Sequence, residues 1–203
     1  MTGKHANNWD NRYDQERYFY GTEPNHLVAR VLPGLPRGRV LCLAEGEGRN
    51  AVYAAALGHQ VVAVDESFVG RRKALELAEH SGVDLEYRLD DVIGGAWTDE
   101  TWDVIVLCFA HLDPAYMPSV HAACAAALAP GGTLVLCSFS RAQFGRKSGG
   151  PPRLEWLHDA TELERQFPGL TLEMEEKEVH LSEGTGHVGA AMVIEMVGRK
   201  PRA

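Results

Sequence analysis

Basic runs are absent from this chain, and acidic residues outnumber basic ones 28 to 20, for a net charge of −8. A protein that grips a nucleic-acid backbone needs the opposite balance, so no nucleic-acid partner is expected. No uninterrupted apolar run approaches the ~18 residues of a bilayer span, so no membrane partner is expected either. Met1 to Asn8 lack the apolar stretch of a secretory signal, which makes a cytoplasmic location the expectation. Cysteines are few: Cys42, Cys108, Cys124 and Cys137, none of them in a C-x-x-C pair. They fall in apolar strand-like runs or an alanine-rich helix-like run, and read as small buried hydrophobes of a reducing compartment. The nine histidines do not group with them at ligand spacing, so no metal is expected. Repeats and low-complexity linkers are also missing. A length of 203 residues, 45% of them hydrophobic, suits one α/β domain over 1–203.

What is there centres on Val40 to Ala51. An apolar strand, Val40-Leu41-Cys42-Leu43, breaks at Gly46-x-Gly48 and resumes as a small-residue helix through Leu57. Strand, glycine turn and helix form the entry to a doubly wound sheet, where the backbone lets a ligand come close at the helix N-terminus. A second strand, Gln60 to Val64, ends in Asp65, about 20 positions after the glycines, where a nucleoside ribose is gripped through its hydroxyls. The stretch proposes a site for an adenosine-containing cofactor. Gly46-x-Gly48-x-x-Ala51 also fits the dinucleotide fingerprint, and a turn that merely closes a βα corner is the plain structural alternative.

The rest of the chain alternates in the same way. Helices are expected at 26–32, 69–80, 118–128 and 161–167, and strands at 85–89, 103–109 and 133–139. The apolar runs at 103–109 and 133–139 suit parallel strands buried on both faces. Two strands at 171–181 and 187–198, joined through Gly184 and Gly186, read as an antiparallel hairpin. The glycine-rich stretch from Gln143 to Pro152 is expected to be a mobile loop near the site. The aromatic segment Trp9 to Tyr20 either packs the terminus or, with residues 1–36 as a whole, forms a lid over a core spanning 37–203.

This combination resembles the class I S-adenosylmethionine-dependent methyltransferases: the glycine turn, Asp65 ending the second strand, Pro130-Gly131-Gly132 before the fifth, and the terminal hairpin. More narrowly, Glu45 to Asn50 together with Tyr20-Gly21-Thr22-Glu23-Pro24-Asn25 resembles bacterial proteins related to the tellurite-resistance and thiol methyltransferases. Phe109-Ala110-His111-Leu112, Gly149-Gly150-Pro151 and Glu183-Gly184 followed by His187 belong to the same likeness. The resemblance implies a Rossmann-like, seven-stranded, mostly parallel sheet with an antiparallel last strand and helices on both faces. It implies S-adenosylmethionine as cofactor, S-adenosylhomocysteine as product, and a small-molecule acceptor such as a thiol or chalcogen compound, in a monomer or a homodimer. That family usually has Asp-x-Gly-x-Gly-x-Gly, where this chain has Cys42 and Ala44.

The site residues follow from the resemblance. Gly46 and Gly48 let the methionine end lie on the backbone, and Glu45, or a water, meets its ammonium in place of the missing carboxylate. Asp65 holds the ribose or caps the next helix, and Glu66 shares the ribose or stays solvated. Asp91 meets the adenine amino group beside the Val92 backbone, or caps its loop. Asn50 contacts the cofactor or is an ordinary N-cap. Tyr20 counts among the cofactor contacts, as does the Phe109 backbone, while the Phe109 side chain is core. His111 and His187 are the candidate bases, needed only if the acceptor arrives protonated, and for each the plainer alternative is a structural or solvated histidine. A nicotinamide-dependent oxidoreductase is a second reading, against which stand the absence of Tyr-x-x-x-Lys and of a second domain. A non-catalytic cofactor-binding module is the third.

Overall fold

The computed structural model describes residues 3–202, so Met1, Thr2 and Ala203 of the expected domain lie outside the described residues. Helices α1 (Gly3–Tyr13) and α2 (His26–Val31) precede β1 (Arg39–Leu43), α3 (Arg49–Ala56), β2 (Gln60–Asp65), α4 (Phe68–His80) and β3 (Glu86–Leu89). There follow β4 (Trp102–Cys108), α5 (Met117–Ala127), β5 (Leu128–Phe139), α6 (Ala160–Gln166) and the long hairpin β6 (Thr171–Glu183) and β7 (His187–Arg199). The seven strands form one sheet in the order β3-β2-β1-β4-β5-β7-β6. β1 to β5 pair in parallel, and β7 runs antiparallel against both β5 and β6.

Alternation along the strands divides the core into two layers. Val40 and Cys42 of β1, Val104 and Val106 of β4, and Val135 and Cys137 of β5 pack with Leu27 and Val28 of α2, Ala51 and Ala54 of α3, and Ala74 of α4. Their neighbours Leu41, Leu43, Ile105, Leu107, Leu134 and Leu136 pack on the other face with Val120 and Cys124 of α5, Leu163 of α6 and Phe167 just after it. Strands buried on both faces therefore read as unbroken apolar runs. All four cysteines are unpaired. Among the described residues no helix is long and apolar enough to cross a membrane.

Helix starts obey local chemistry. Asn25 accepts from Leu27 N–H, Ser67 from Gly70 N–H and Asp159 from Glu162 N–H, each capping the helix that follows. The structure differs from expectation in three places. β5 begins at Leu128, so Pro130-Gly131-Gly132 falls within the strand rather than before it. Residues 3–13 are helical, where the sequence offered only aromatic content. The stretch Gln143 to Gly150 is pinned rather than loose. Gln143 Nε2 donates to Ser148 Oγ at 2.9 Å and to the Gly149 carbonyl at 3.0 Å, its Oε1 accepts from Met192 N–H at 2.8 Å, and Ser148 Oγ donates to the Ala190 carbonyl at 2.7 Å. A buried Gln side chain supplies internally the turn contacts that water makes in an exposed loop.

The turn after β1 bears a trace of its altered sequence. Ala44, standing where related turns carry glycine, has φ +52°. A Cβ in that region costs roughly 1–2 kcal/mol, partly offset because alanine restricts the unfolded chain. Ala44→Gly should raise the unfolding free energy by about 0.5–1 kcal/mol in urea titrations. An unchanged or lowered midpoint would refute strain at this residue.

Candidate functional site

The order of the sheet reverses between β1 and β4, and a doubly wound sheet binds ligands outside the carboxyl ends of its strands at that switch. The carboxyl ends of β1, β2, β4 and β5 meet there. Because β7 is antiparallel, its first residue, His187, arrives at the same edge.

Two buried carboxylates flank the turn. Glu45 Oε1 accepts from the N–H groups of Asn50 and Ala51 at 2.7 and 2.8 Å, and Asn50 Nδ2 donates to Oε2 at 3.5 Å. Glu45 thus occupies the start of α3, whose N-cap residue, Gly48, has no side chain to offer. Burial pushes its pKa up to about 7, against the opposing pull of those hydrogen bonds and the Arg49 charge. Glu45 forms no ion pair among the described residues. Asp65, at the end of β2, accepts from Gly46 N–H at 3.0 Å and Ser67 N–H at 2.8 Å. Burial raises its pKa also, with Asp10 adding to the shift.

Gly46 sits between these groups with φ +60°, and its open face is met by an aromatic side chain: a Cβ there would lie 2.5 Å from the Tyr13 hydroxyl. Tyr87 donates to the Gly46 carbonyl at 2.6 Å. Gly48 serves packing, since a Cβ on it would collide with Ala74 of α4 at 2.5 Å. The aromatic terminus is stitched over this turn. Asp10 accepts from Ser67 Oγ at 2.6 Å and Val69 N–H at 3.0 Å. Lys73 of α4 pairs with Glu47 at 2.6 Å and donates to the carbonyls of Tyr13, Gln15 and Arg17, while Glu47 accepts from Phe19 N–H at 2.7 Å.

The remaining residues divide. Asn50 Oδ1 accepts from Asn25 N–H at 2.9 Å, so Asn50 ties the 20–25 turn to α3 and does not cap the helix. Asp91 Oδ1 accepts from Ile93 N–H at 2.7 Å, a loop-capping contact, and Val92 is buried in the α5–α6 layer. Glu66 is half-buried next to Asp65. Phe109 follows β4 with φ +54°, a conformation that a bulky residue adopts only where its surroundings impose it. Its ring packs on Phe139 and His187 at centroid distances of 4.5 and 4.4 Å. The Tyr20 ring also lies 4.4 Å from His187.

His111 and His187 both border Phe139 but differ in what their nitrogens do. His111 Nδ1 donates to the Trp156 carbonyl at 2.9 Å, which leaves Nε2 to accept from Phe139 N–H at 3.4 Å and to face Ser138 Oγ at 3.4 Å. Burial lowers its pKa to about 4. Both ring nitrogens of His111 are engaged internally. Among the described residues no three His, Cys, Asp or Glu side chains are placed to hold a metal ion.

Sequence reasoning passed over Lys73, Tyr13 and the role of Glu183, whose partners are 26–158 positions away or across a turn. Only Glu183 had a local signal, its place opposite His187 in the hairpin.

Residues 40–132 match the methyltransferase domain family. The ubiquinone biosynthesis O-methyltransferase of Xanthomonas campestris pv. campestris is 32% identical over 144 residues, which are 67% of this chain and 58% of that protein. The chain therefore spans 58% of the length of the curated relatives it matches. The N-methyltransferase NodS of Bradyrhizobium japonicum WM9, solved in complex with S-adenosyl-L-homocysteine, superposes with a TM-score of 0.74 at 15% identity, covering 98% of this chain and all of that one (100%). TehB of Haemophilus influenzae superposes with a TM-score of 0.70 at 20% identity, covering 85% of this chain and 61% of that one.

Proposed function

The chain carries a class I S-adenosylmethionine-dependent methyltransferase domain, and from that premise we propose that it transfers a methyl group from S-adenosylmethionine to a small-molecule acceptor. The observation that carries the reading is the pair of buried carboxylates, Glu45 and Asp65, converging on Gly46 at the switch point of the sheet. The donor set fits the cofactor. Burial lifts the Glu45 carboxyl to about 7 in spite of the Arg49 charge, and an ammonium group beside it would favour its ionised form. Asp65 offers acceptors to vicinal hydroxyls, as an acidic residue at the end of the second strand does in nucleoside sites.

Bound S-adenosylmethionine supplies an electrophilic sulfonium methyl. The protein's part is alignment and exclusion of water. Gly46, Gly48 and Asn50 shape the turn under the methionine end, Glu66 stands beside Asp65, and Asp91 with the Val92 backbone borders the adenine side. The Phe109 backbone and the Tyr20 ring stand between cofactor and acceptor. Within the 1–36 segment, the described residues act as the cover, with Tyr13 seated over Gly46. The acceptor favoured within this reading is a thiol or chalcogen compound, on the strength of the motif likeness. The acidic net charge argues against a nucleic-acid acceptor.

Calorimetric titration with S-adenosylmethionine, S-adenosylhomocysteine and NADH tests the reading. Both sulfur ligands should bind, and Asp65→Ala should weaken them at least tenfold, the loss of a charge-assisted hydrogen bond. Binding of NADH alone would overturn the methyltransferase reading in favour of the oxidoreductase one. Binding of both sulfur ligands without turnover of any acceptor would favour the non-catalytic module.

A further inference from the structure

The hairpin between β6 and β7 builds a carboxylate–imidazole pair at the edge of the cleft. Glu183 ends β6, His187 begins β7, and the two are cross-strand partners. His187 Nδ1 donates to Glu183 Oε2 at 2.7 Å. The same oxygen accepts from Arg49 of α3 at 3.0 Å, and Oε1 accepts from Asn25 Nδ2 at 3.1 Å. Burial alone would raise the pKa of Glu183, but the His187 and Arg49 contacts outweigh it and hold the carboxyl at about 2. An ionised carboxylate on Nδ1 fixes the proton there and leaves the lone pair on Nε2.

That nitrogen is uncommitted. His187 Nε2 has no hydrogen-bond partner among the described residues, and it is not one of the unpartnered polar atoms sealed from solvent. The contrast with His111, whose lone pair is already taken at the end of β5, separates two histidines that the sequence left equivalent. Three aromatic rings, Tyr20, Phe109 and Phe139, surround the imidazole with centroids 4.4, 4.4 and 5.0 Å away. The ionisable groups that face it are Glu183 of the hairpin, Arg49 of α3, Arg12 of α1, Tyr20 and, beyond Phe139, His111. Burial lowers the pKa of His187, opposed by its contact with Glu183.

We propose that His187 is the general base toward the acceptor, with Glu183 as its positioning residue, and that the acceptor is a thiol or hydroxyl compound with an apolar body that arrives protonated. The proposal rests on the methyltransferase reading. Nε2 takes the proton of the acceptor S–H or O–H. The lone pair so freed bonds to the methyl carbon, the methyl–sulfonium bond breaks, and its electron pair stays on sulfur as a neutral thioether. The proton then leaves His187 for solvent, so each turnover of one acceptor and one S-adenosylmethionine yields one methylated product, one S-adenosylhomocysteine and one proton.

The test compares aryl thiols, ionised at neutral pH, with alkanethiols, protonated there, in wild type, His187→Gln and Glu183→Gln. His187→Gln should lower kcat/KM for alkanethiols by about 10²–10⁴-fold, the usual range for a lost general base, and leave aryl thiols within a few fold. Retained aryl-thiol turnover shows in the same sample that the variant is folded. Glu183→Gln keeps an acceptor for Nδ1 but removes the charge. It should lower alkanethiol turnover about tenfold or more, shift the acid limb of the pH profile downward, and lower the His187 pKa read by NMR, with Glu183→Asp restoring part of each. Equal losses for both thiol classes, or an unmoved pH profile and NMR titration, would overturn the proposal. Failure of wild type to bind S-adenosylhomocysteine in calorimetry would instead remove the methyltransferase reading and this proposal with it.

Discussion

Lys73→Met should destabilise the protein by about 3–5 kcal/mol, the range seen when one partner of a buried ion pair is removed. Its side chain is 4% exposed and that of Glu47 is 3% exposed, so the carboxylate left behind has no access to water. The same substitution strips the carbonyls of Tyr13, Gln15 and Arg17 of a donor, in a segment otherwise tied to the turn by the buried Tyr13 ring and by Phe19 N–H on Glu47. Methionine keeps the length and apolar stem of lysine, so the loss reports on charge and hydrogen bonding rather than on a cavity. Lys73→Met combined with Glu47→Gln should recover part of the loss, because the buried charge is gone while the carbonyls remain unserved. Urea or thermal unfolding of wild type, both single variants and the double variant closes the cycle. A loss below about 1 kcal/mol, the value of an exposed pair, would show that water reaches the site and that the 13–20 segment is not held by this lysine.

Glu45→Gln should separate stability from cofactor binding. The folded-state pKa of about 7 lies above the unfolded value of about 4.3 for a glutamate. A group raised on folding contributes its full stability below the unfolded pKa and loses it as pH rises through the folded one. Wild type should therefore lose roughly 3 kcal/mol from this group between pH 4 and pH 8. Glutamine can still accept from Asn50 and Ala51 N–H and has no charge to bury, so the variant should lack that decline and be the more stable protein at pH 8. The same variant should bind S-adenosylmethionine about 10–100-fold more weakly, because the cation loses its counter-ion. Wild-type affinity should rise with pH through about 7 as the carboxyl ionises. Unfolding at several pH values together with calorimetry measures both halves. Undiminished affinity in the variant would show that Glu45 only caps α3.

Stability and function pull apart here for a physical reason. A carboxylate that caps a helix is better placed in water, and one that waits for a cation is better placed in a dry pocket. In the proposed function both tasks fall on Glu45, two residues after the end of β1, whereas in the resemblance the acidic residue stands inside the strand.

How far the sequence reaches is visible element by element. Local pattern was enough for the strands and helices of the βα repeats, because burial on both faces demands unbroken apolar runs at 40–43, 103–109 and 133–139. Parallel pairing of the βα repeats, the terminal hairpin and the place of Gly46 beside Asp65 follow from that pattern with the connectivity it allows, while the antiparallel last strand in the same sheet and the site role of Glu45 were implied by the family resemblance. Tertiary structure alone decided the rest. Asn50 and Asp91 carry equally good capping and binding chemistry, and only the position of Asn25 in space turned Asn50 into a tie rather than a cap. The helix at 3–13 and the fixed loop at 143–150 depend on partners in α4 and β7, and no local rule foretells a partner so far along the chain. His111 and His187 differ in nothing that composition records. One lies against a carbonyl and a backbone N–H, the other against an ionised Glu183, and that difference in neighbours separates a histidine held by the fold from one whose lone pair is uncommitted.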